Sequence, residues 1–273
     1  MSQTHVSYPP LGTSFLARYG PHALVTGASD GIGREIARAL AASGLGLVLV
    51  ARRGERLERL ADELRAKHRV EVRVIAADLS RAEDVTRVID ETASIDLGLF
   101  VAAAGFGTSG AFLEAELEDE LSMLDVNCRA VIAMTHALGR RLASRGRGGV
   151  VLFSSLLAFQ GVPRAAHYAA TKAFNQVFAE GLRRELAPRG VDVLACAPGP
   201  IASGFGARAD MQMGMAIPAT LVPMPTLRAL GRRTTVRPGW LSWLLELSLS
   251  TLPRWGRTWV LARIMAGMTQ HHA

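Results

Sequence analysis

Short apolar runs alternate with helix-like stretches along most of this chain, and no other feature restricts its fold so strongly. Residues 23–26, 46–51, 71–76, 97–102, 149–153 and 191–195 are β-rich and apolar. Residues 31–42, 55–67, 81–93, 117–144 and 167–186 carry helical periodicity, the last closed by Pro188. Strands that lack polar alternation are buried on both faces, as in a parallel sheet. Strict alternation with short links predicts an α/β fold built on a doubly wound, Rossmann-like parallel sheet. The ligand of such a sheet lies beyond the carboxyl ends of its strands. With 273 residues, 49% of them apolar, the chain has material for one substantial core. We place a single domain over residues 21–203. Residues 1–20, with Pro9, Pro10 and Gly12, read as a flexible or surface-lying extension. Residues 204–273 read as a substrate loop and a helical C-terminal extension. Glycine, proline and methionine crowd residues 198–225, and two apolar segments follow, 240–252 and 255–268, separated by Pro253.

The turn after the first strand runs Thr26-Gly27-Ala28-Ser29-Asp30-Gly31-Ile32-Gly33. In the order strand, glycine turn, helix, glycines let the backbone approach a pyrophosphate. The helix start adds N–H groups and a positive dipole end. The expected ligand is a dinucleotide. The second strand ends in Val50-Ala51-Arg52-Arg53, with no acid to hold the ribose hydroxyls. An arginine there can pair with a 2′-phosphate through forked donors, so NADP(H) is preferred and NAD(H) is the alternative. We assign that contact to Arg52. Arg53 reads as a solvated charge at a helix start, and Asp30 as an acid that opposes a phosphate.

Tyr168 and Lys172 stand four residues apart in a helical stretch and so share a face. A free phenol titrates near ~10, and a neighbouring cation favours the phenolate. A phenol acidified in this way can give a proton to, or take one from, an oxygen undergoing hydride transfer. The pair Ser154-Ser155 lies just upstream. His167 points to another side of the helix and is given no role.

Together these motifs resemble the short-chain dehydrogenase/reductase family over residues 23–203. The glycine turn is Thr26 to Gly33 and the tyrosine–lysine pair is Tyr168 and Lys172. Ser155, rather than Ser154, stands at the family's spacing from the tyrosine. Asn127 matches the helix asparagine, Asp78 the acid after the third strand, and Pro198-Gly199 the turn after the sixth. The resemblance implies hydride transfer between NADP(H) and a carbonyl or secondary alcohol. Tyr168 would be the acid or base, Lys172 would lower its pKa and hold the nicotinamide ribose, Ser155 would hold the substrate oxygen, and Asn127 would hold a water. It implies cofactor contacts from Thr26, Gly27, Ser29, Gly31, Ile32, Gly33, Arg52, Asp78, Leu79, Ala104, Gly105, Tyr168, Lys172, Pro198, Gly199, Ile201 and Ser203. It also implies a homodimer or homotetramer formed through the long helices. One departure is Ala102-Ala103-Ala104-Gly105, where the family carries two asparagines, which removes amides expected to brace that loop. A cofactor-binding regulatory protein of the same fold is the rival function, supported by that departure alone.

The surroundings of the site are less specific. Phe106, Phe112, Phe159 and Val162, with Met211, Met213, Met215 and Ile217, could line an apolar pocket under a lid, which suits a lipophilic small molecule. The net charge is +7, and from Thr226 onward seven arginines face one acid, Glu246. No nucleic-acid motif accompanies this charge, so a nucleic-acid partner is not expected. All 4 tryptophans (Trp240, Trp243, Trp255 and Trp259) lie in this tail. It reads as a pocket cover, with peripheral membrane contact as the alternative. The 2 cysteines, Cys128 and Cys196, have no disulfide or metal-ligand spacing, so no metal is expected. With no secretory signal evident, a cytoplasmic protein is expected, with membrane association as the alternative.

Overall fold

A computed structural model describes residues 6–209, 216–239 and 251–268. The strands are β1 (His22–Thr26), β2 (Gly46–Ala51), β3 (Val72–Ala76), β4 (Leu97–Ala102), β5 (Gly148–Phe153), β6 (Val191–Cys196) and, after a small separate pair, a short strand at Thr235–Val236. The small pair is β7 (Ile201–Ala202) with β8 (Ile217–Pro218), and the last strand is β9. Among the described residues the main sheet has seven strands, in the order β3-β2-β1-β4-β5-β6-β9, all parallel.

Side chains of each strand alternate between two cores. Ala23, Val25, Leu47, Leu49, Leu99, Val101 and Leu194 enter one. Leu24, Val48, Val50, Phe100, Val150, Leu152 and Val193 enter the other. Helices α2 (Gly31–Ala42) and α3 (Gly54–His68) cover the first face. Helices α4 (Ala82–Glu91), α6 (Ala130–Arg145) and α7 (Ala166–Leu186) cover the second. Burial on both faces explains why the central strands β1, β2, β4, β5 and β6 are apolar along most of their length.

Three features depart from expectation. The N-terminal segment is not a loose extension: Tyr8, Phe15 and Tyr19 are buried in the first core, with α1 spanning Thr13–Tyr19. Tyr8 donates its phenolic proton to buried Glu35 at 2.8 Å. The expected long helix is split into α5 (Leu117–Leu124), a π turn at Asp125–Arg129 and α6. The seventh strand, β9, is only two residues long, too short to show periodicity. The expected apolar segment 240–252 lies almost wholly outside the described residues, while the second forms a helix over Arg254–Met268. It follows α8 (Gly204–Arg208) and α9 (Pro223–Ala229) and is numbered α10.

Candidate active site

The order of the sheet reverses between β1 and β4, and a cleft opens there beyond the strand ends. Gly27 turns the chain out of β1 with φ +67°, and a Cβ there would come within 2.8 Å of the Ala103 oxygen and the Ala104 Cα. Only glycine lets the two strand ends close up so tightly. Thr26 lies behind this seam, buried, with its hydroxyl accepting from Ala104 N at 3.0 Å. That bond braces the loop lacking the expected asparagine amides.

Asp30 caps α2 by accepting from Gly31 N at 2.7 Å. Arg34, Arg53 and Arg56 stand 3.8, 3.7 and 4.0 Å from its carboxylate. Its charge is therefore compensated, which corrects the expectation that it opposes a phosphate. Arg53 donates to Ser29 Oγ at 3.2 Å, and Arg52 lies 3.9 Å from Asp78. Both arginines line the cleft. Arg53 was expected to be an ordinary solvated charge; the structure instead fastens it to the glycine turn.

The catalytic candidates meet at the other side of Gly105. Tyr168 and Ser155 both line the cleft. Ser154 does not compete for this role, because its hydroxyl donates to Lys172 O at 3.0 Å. Lys172 is buried behind the wall. Its Nζ donates to Phe153 O at 3.1 Å and lies 5.7 Å from the Tyr168 ring centre. A Cβ at Gly105 would sit 3.2 Å from that nitrogen, so the glycine keeps the barrier between ammonium and cleft thin. Burial pushes the Tyr168 phenol up to about 12, against the Ser155 hydroxyl, which pulls it down. Burial also pushes the Lys172 ammonium down to about 8. The protein alone thus does not show the lysine acidifying the phenol: burial dominates both groups.

Asn127 is fully buried in the π turn. Its amide accepts from Phe106 N at 3.1 Å and donates to Phe106 O and Thr171 Oγ1 at 2.9 and 3.0 Å. The side chain therefore braces the loop after β4. Asn175, not anticipated from the sequence, donates to the Asn127 carbonyl at 3.0 Å and to Phe153 O at 3.4 Å. Its place three residues beyond Lys172, on the same helix face, was the available signal.

Of the expected cofactor contacts, Thr26 and Lys172 stand behind the wall. The remainder, from Gly27 and Ser29 through Ser203, line one cavity of about 570 Å³. The close backbone approaches at Gly27 and Gly105, where a Cβ would fill the cradle, fit a dinucleotide laid across the strand ends. The cavity continues past Tyr168 into an apolar region bounded by Phe106, Phe159, Phe205 and the α10 residues Leu261, Ile264, Met265 and Met268. Leu261 and Met265 are buried in the same cluster as Tyr168, as expected of a pocket cover. Other expected pocket residues lie elsewhere. Phe112 is exposed beside His167, Val162 is buried away from the lining, and Ile217 pairs with Ile201 in β7–β8. Met211, Met213, Met215, Trp240 and Trp243 lie outside the described residues. Trp255 and Trp259 face outward, 76% and 56% exposed. Among the described residues no helix is long and apolar enough to cross a membrane. Cys128 and Cys196 are buried thiols, pushed up to about 11 and about 12 by burial, and neither lines the cavity.

Known proteins share this arrangement. The chain is 38% identical over 179 residues to a very-long-chain 3-oxoacyl-CoA reductase of Podospora anserina, covering 64% of this chain and 53% of that protein's length. A solved 7beta-hydroxysteroid dehydrogenase superposes with a TM-score of 0.84 at 25% identity, covering 90% of this chain and 98% of that one. A short-chain dehydrogenase from Sphingobium yanoikuyae in complex with NADPH superposes at 0.78 with 28% identity, covering 86% and 96%. The family model for short chain dehydrogenases matches residues 21–213. That span takes in the glycine turn, the paired tyrosine and lysine and the turn after β6, and the protein therefore belongs to the short-chain dehydrogenase family.

Proposed function

We propose that this protein transfers a hydride between NADP(H) and a carbonyl or secondary alcohol on a lipophilic small molecule. The observation that carries this reading is one continuous cavity. It runs from the glycine turn and Arg52–Arg53, past Tyr168 and Ser155, into an apolar chamber. A bound nicotinamide supplies the hydride in reduction and receives it in oxidation. Ser155 Oγ orients the substrate oxygen. Tyr168 Oη gives that oxygen a proton in reduction and takes one back in oxidation. Lys172, behind Gly105, offers a positive field to the phenolate that forms. The solved relative with bound NADPH and the paired arginines at the end of β2 both favour the phosphorylated cofactor. Oxidation of NADPH, in preference to NADH, across a panel of lipophilic ketones tests the reading. NADP(H) binding without turnover of any ketone or alcohol would favour the regulatory alternative.

The pH dependence has a definite sign. The phenol stays protonated until about 12, so the acid form of Tyr168 is present throughout the working range. Lys172 loses its charge as pH rises through about 8, and its support for the phenolate goes with it. The rate of ketone reduction is expected to fall across that pH. Lys172→Met should remove the inflection together with most of the rate. A wild-type profile that stays flat through that pH contradicts the role given to Lys172.

The apolar side chains Leu117, Leu121 and Leu124 on α5, with Phe174 and Val177 on α7, are exposed. We propose that a second copy of the chain covers them. Light scattering should give a dimer or tetramer for the wild type and a monomer for Leu121→Glu with Val177→Glu. A monomeric wild type rules the pairing out.

A further inference from the structure

The helix that covers the chamber, α10, is apolar on two sides. Leu261 and Met265, four residues apart, share the face buried in the cluster around Tyr168. Trp255 and Trp259, also four apart, share another face, and both indoles are exposed. Trp259 stands two residues before Leu261, about 200° around the helix, so the tryptophans point away from the chamber. Ala262 and Ala266, three and seven residues beyond Trp259, continue that outward face. The helix holds three arginines and no acid. Arg254 and Arg263 are exposed, and the Arg263 guanidinium carbon lies 4.2 Å from the Trp259 ring centre.

A helix with one apolar stripe is satisfied by the core it packs on. One that is apolar on opposite sides calls for a second apolar neighbour. The outer face of α10 fits an anionic lipid surface as that neighbour. Indole has an apolar body and a polar N–H, which suits the boundary between headgroups and acyl chains. Arg254 and Arg263 match lipid phosphates and carboxylates in charge. Stacked on Trp259, Arg263 holds its charge beside the indole, where a headgroup would meet it. At 15 residues with three arginines, α10 is too short to span a bilayer and suited to lie along one.

We propose that the outer face of α10 docks on an anionic bilayer surface, with Trp255 and Trp259 at the headgroup boundary and Arg254 and Arg263 against the headgroups. The inner face of the same helix covers the chamber, which then lies one helix diameter (~10 Å) from the lipid. A lipophilic ketone or alcohol dissolved in that lipid reaches the site from the surface. This last step rests on the hydride-transfer reading, whereas the docking itself is measured without turnover.

The test is flotation of the full chain with vesicles of phosphatidylcholine alone and of phosphatidylcholine with phosphatidylserine. The anionic vesicles should hold the protein about tenfold or more tightly than the neutral ones, a margin that shrinks with added salt. Trp255→Ser with Trp259→Ser should lower partition onto the anionic vesicles by about tenfold or more. Arg254→Gln with Arg263→Gln should move the margin toward unity. These four side chains are exposed and outside the cavity lining, so NADPH oxidation with a ketone presented without vesicles should match the wild type. Wild-type protein that floats with neither vesicle overturns the proposal. Equal binding to both, or binding that both paired variants retain, also overturns it. Loss of an oligomer in the tryptophan variant, with vesicle binding unchanged, gives the face to a second copy and overturns it as well. The wild-type comparison holds whether or not a variant folds. Anionic-vesicle binding without turnover of any ketone sinks the hydride-transfer reading and leaves the docking surface standing.

Discussion

Tyr168→Phe is expected to lower turnover by about 10²–10⁴-fold while NADP(H) affinity changes little, since a positioned general acid contributes on that order. The substitution is clean because the ring is held independently of its hydroxyl. It packs at 5.3 Å from Phe205 and belongs to a buried cluster with Phe106, Met123 and Leu261. Phenylalanine keeps those contacts and removes only the proton donor. Steady-state rates at saturating NADPH, with cofactor affinity read from fluorescence, separate chemistry from binding. A variant retaining more than about a tenth of wild-type turnover would mean that the proton comes from elsewhere, whatever the position of the phenol.

Replacing Arg52 and Arg53 together by alanine is expected to reduce the preference for NADPH over NADH by about 10–100-fold. Charge-assisted hydrogen bonds contribute ~1.5–3 kcal/mol, and exposure draws the estimate toward the lower end. Their side chains are 52% and 49% exposed. Asp78 and Ser29 hold them beside the glycine turn, so less entropy is lost when a 2′-phosphate arrives. The effect should fall mainly on KM for NADPH, leave NADH nearly untouched and weaken as salt is raised. An unchanged ratio of kcat/KM for the two cofactors would place the phosphate contact somewhere other than the end of β2.

Much of this architecture was legible in advance. The spans of α2, β2 and β4 agree with the periodicity to the residue, because each is a buried element whose pattern is set by the sheet it packs on. The glycine turn was legible because steric demand at Gly27 leaves a compositional mark. What escaped was short or determined at long range. β9 has two residues, and α1 follows a Pro-Pro-containing stretch that looks loose until Tyr8 finds Glu35 across 27 positions of sequence. The π turn that buries Asn127 leaves no periodic signature, since it inserts a single wider turn into an otherwise regular helix.

The sequence by itself determined the six longer strands of the sheet, the glycine turn and the pairing of Tyr168 with Lys172 on one helix. Each depends on spacing within one or two neighbouring elements, where chain geometry dictates what can meet. Only the tertiary structure decided how those side chains are tuned and what surrounds them. It buries Lys172 behind Gly105, commits the Asn127 amide to Phe106, fastens Arg53 to Ser29 and sets Arg208 and Arg237 against the Phe106 and Phe159 rings of an apolar chamber. Burial and charge at a point in space are sums over residues far apart in the chain, and local periodicity carries no record of them.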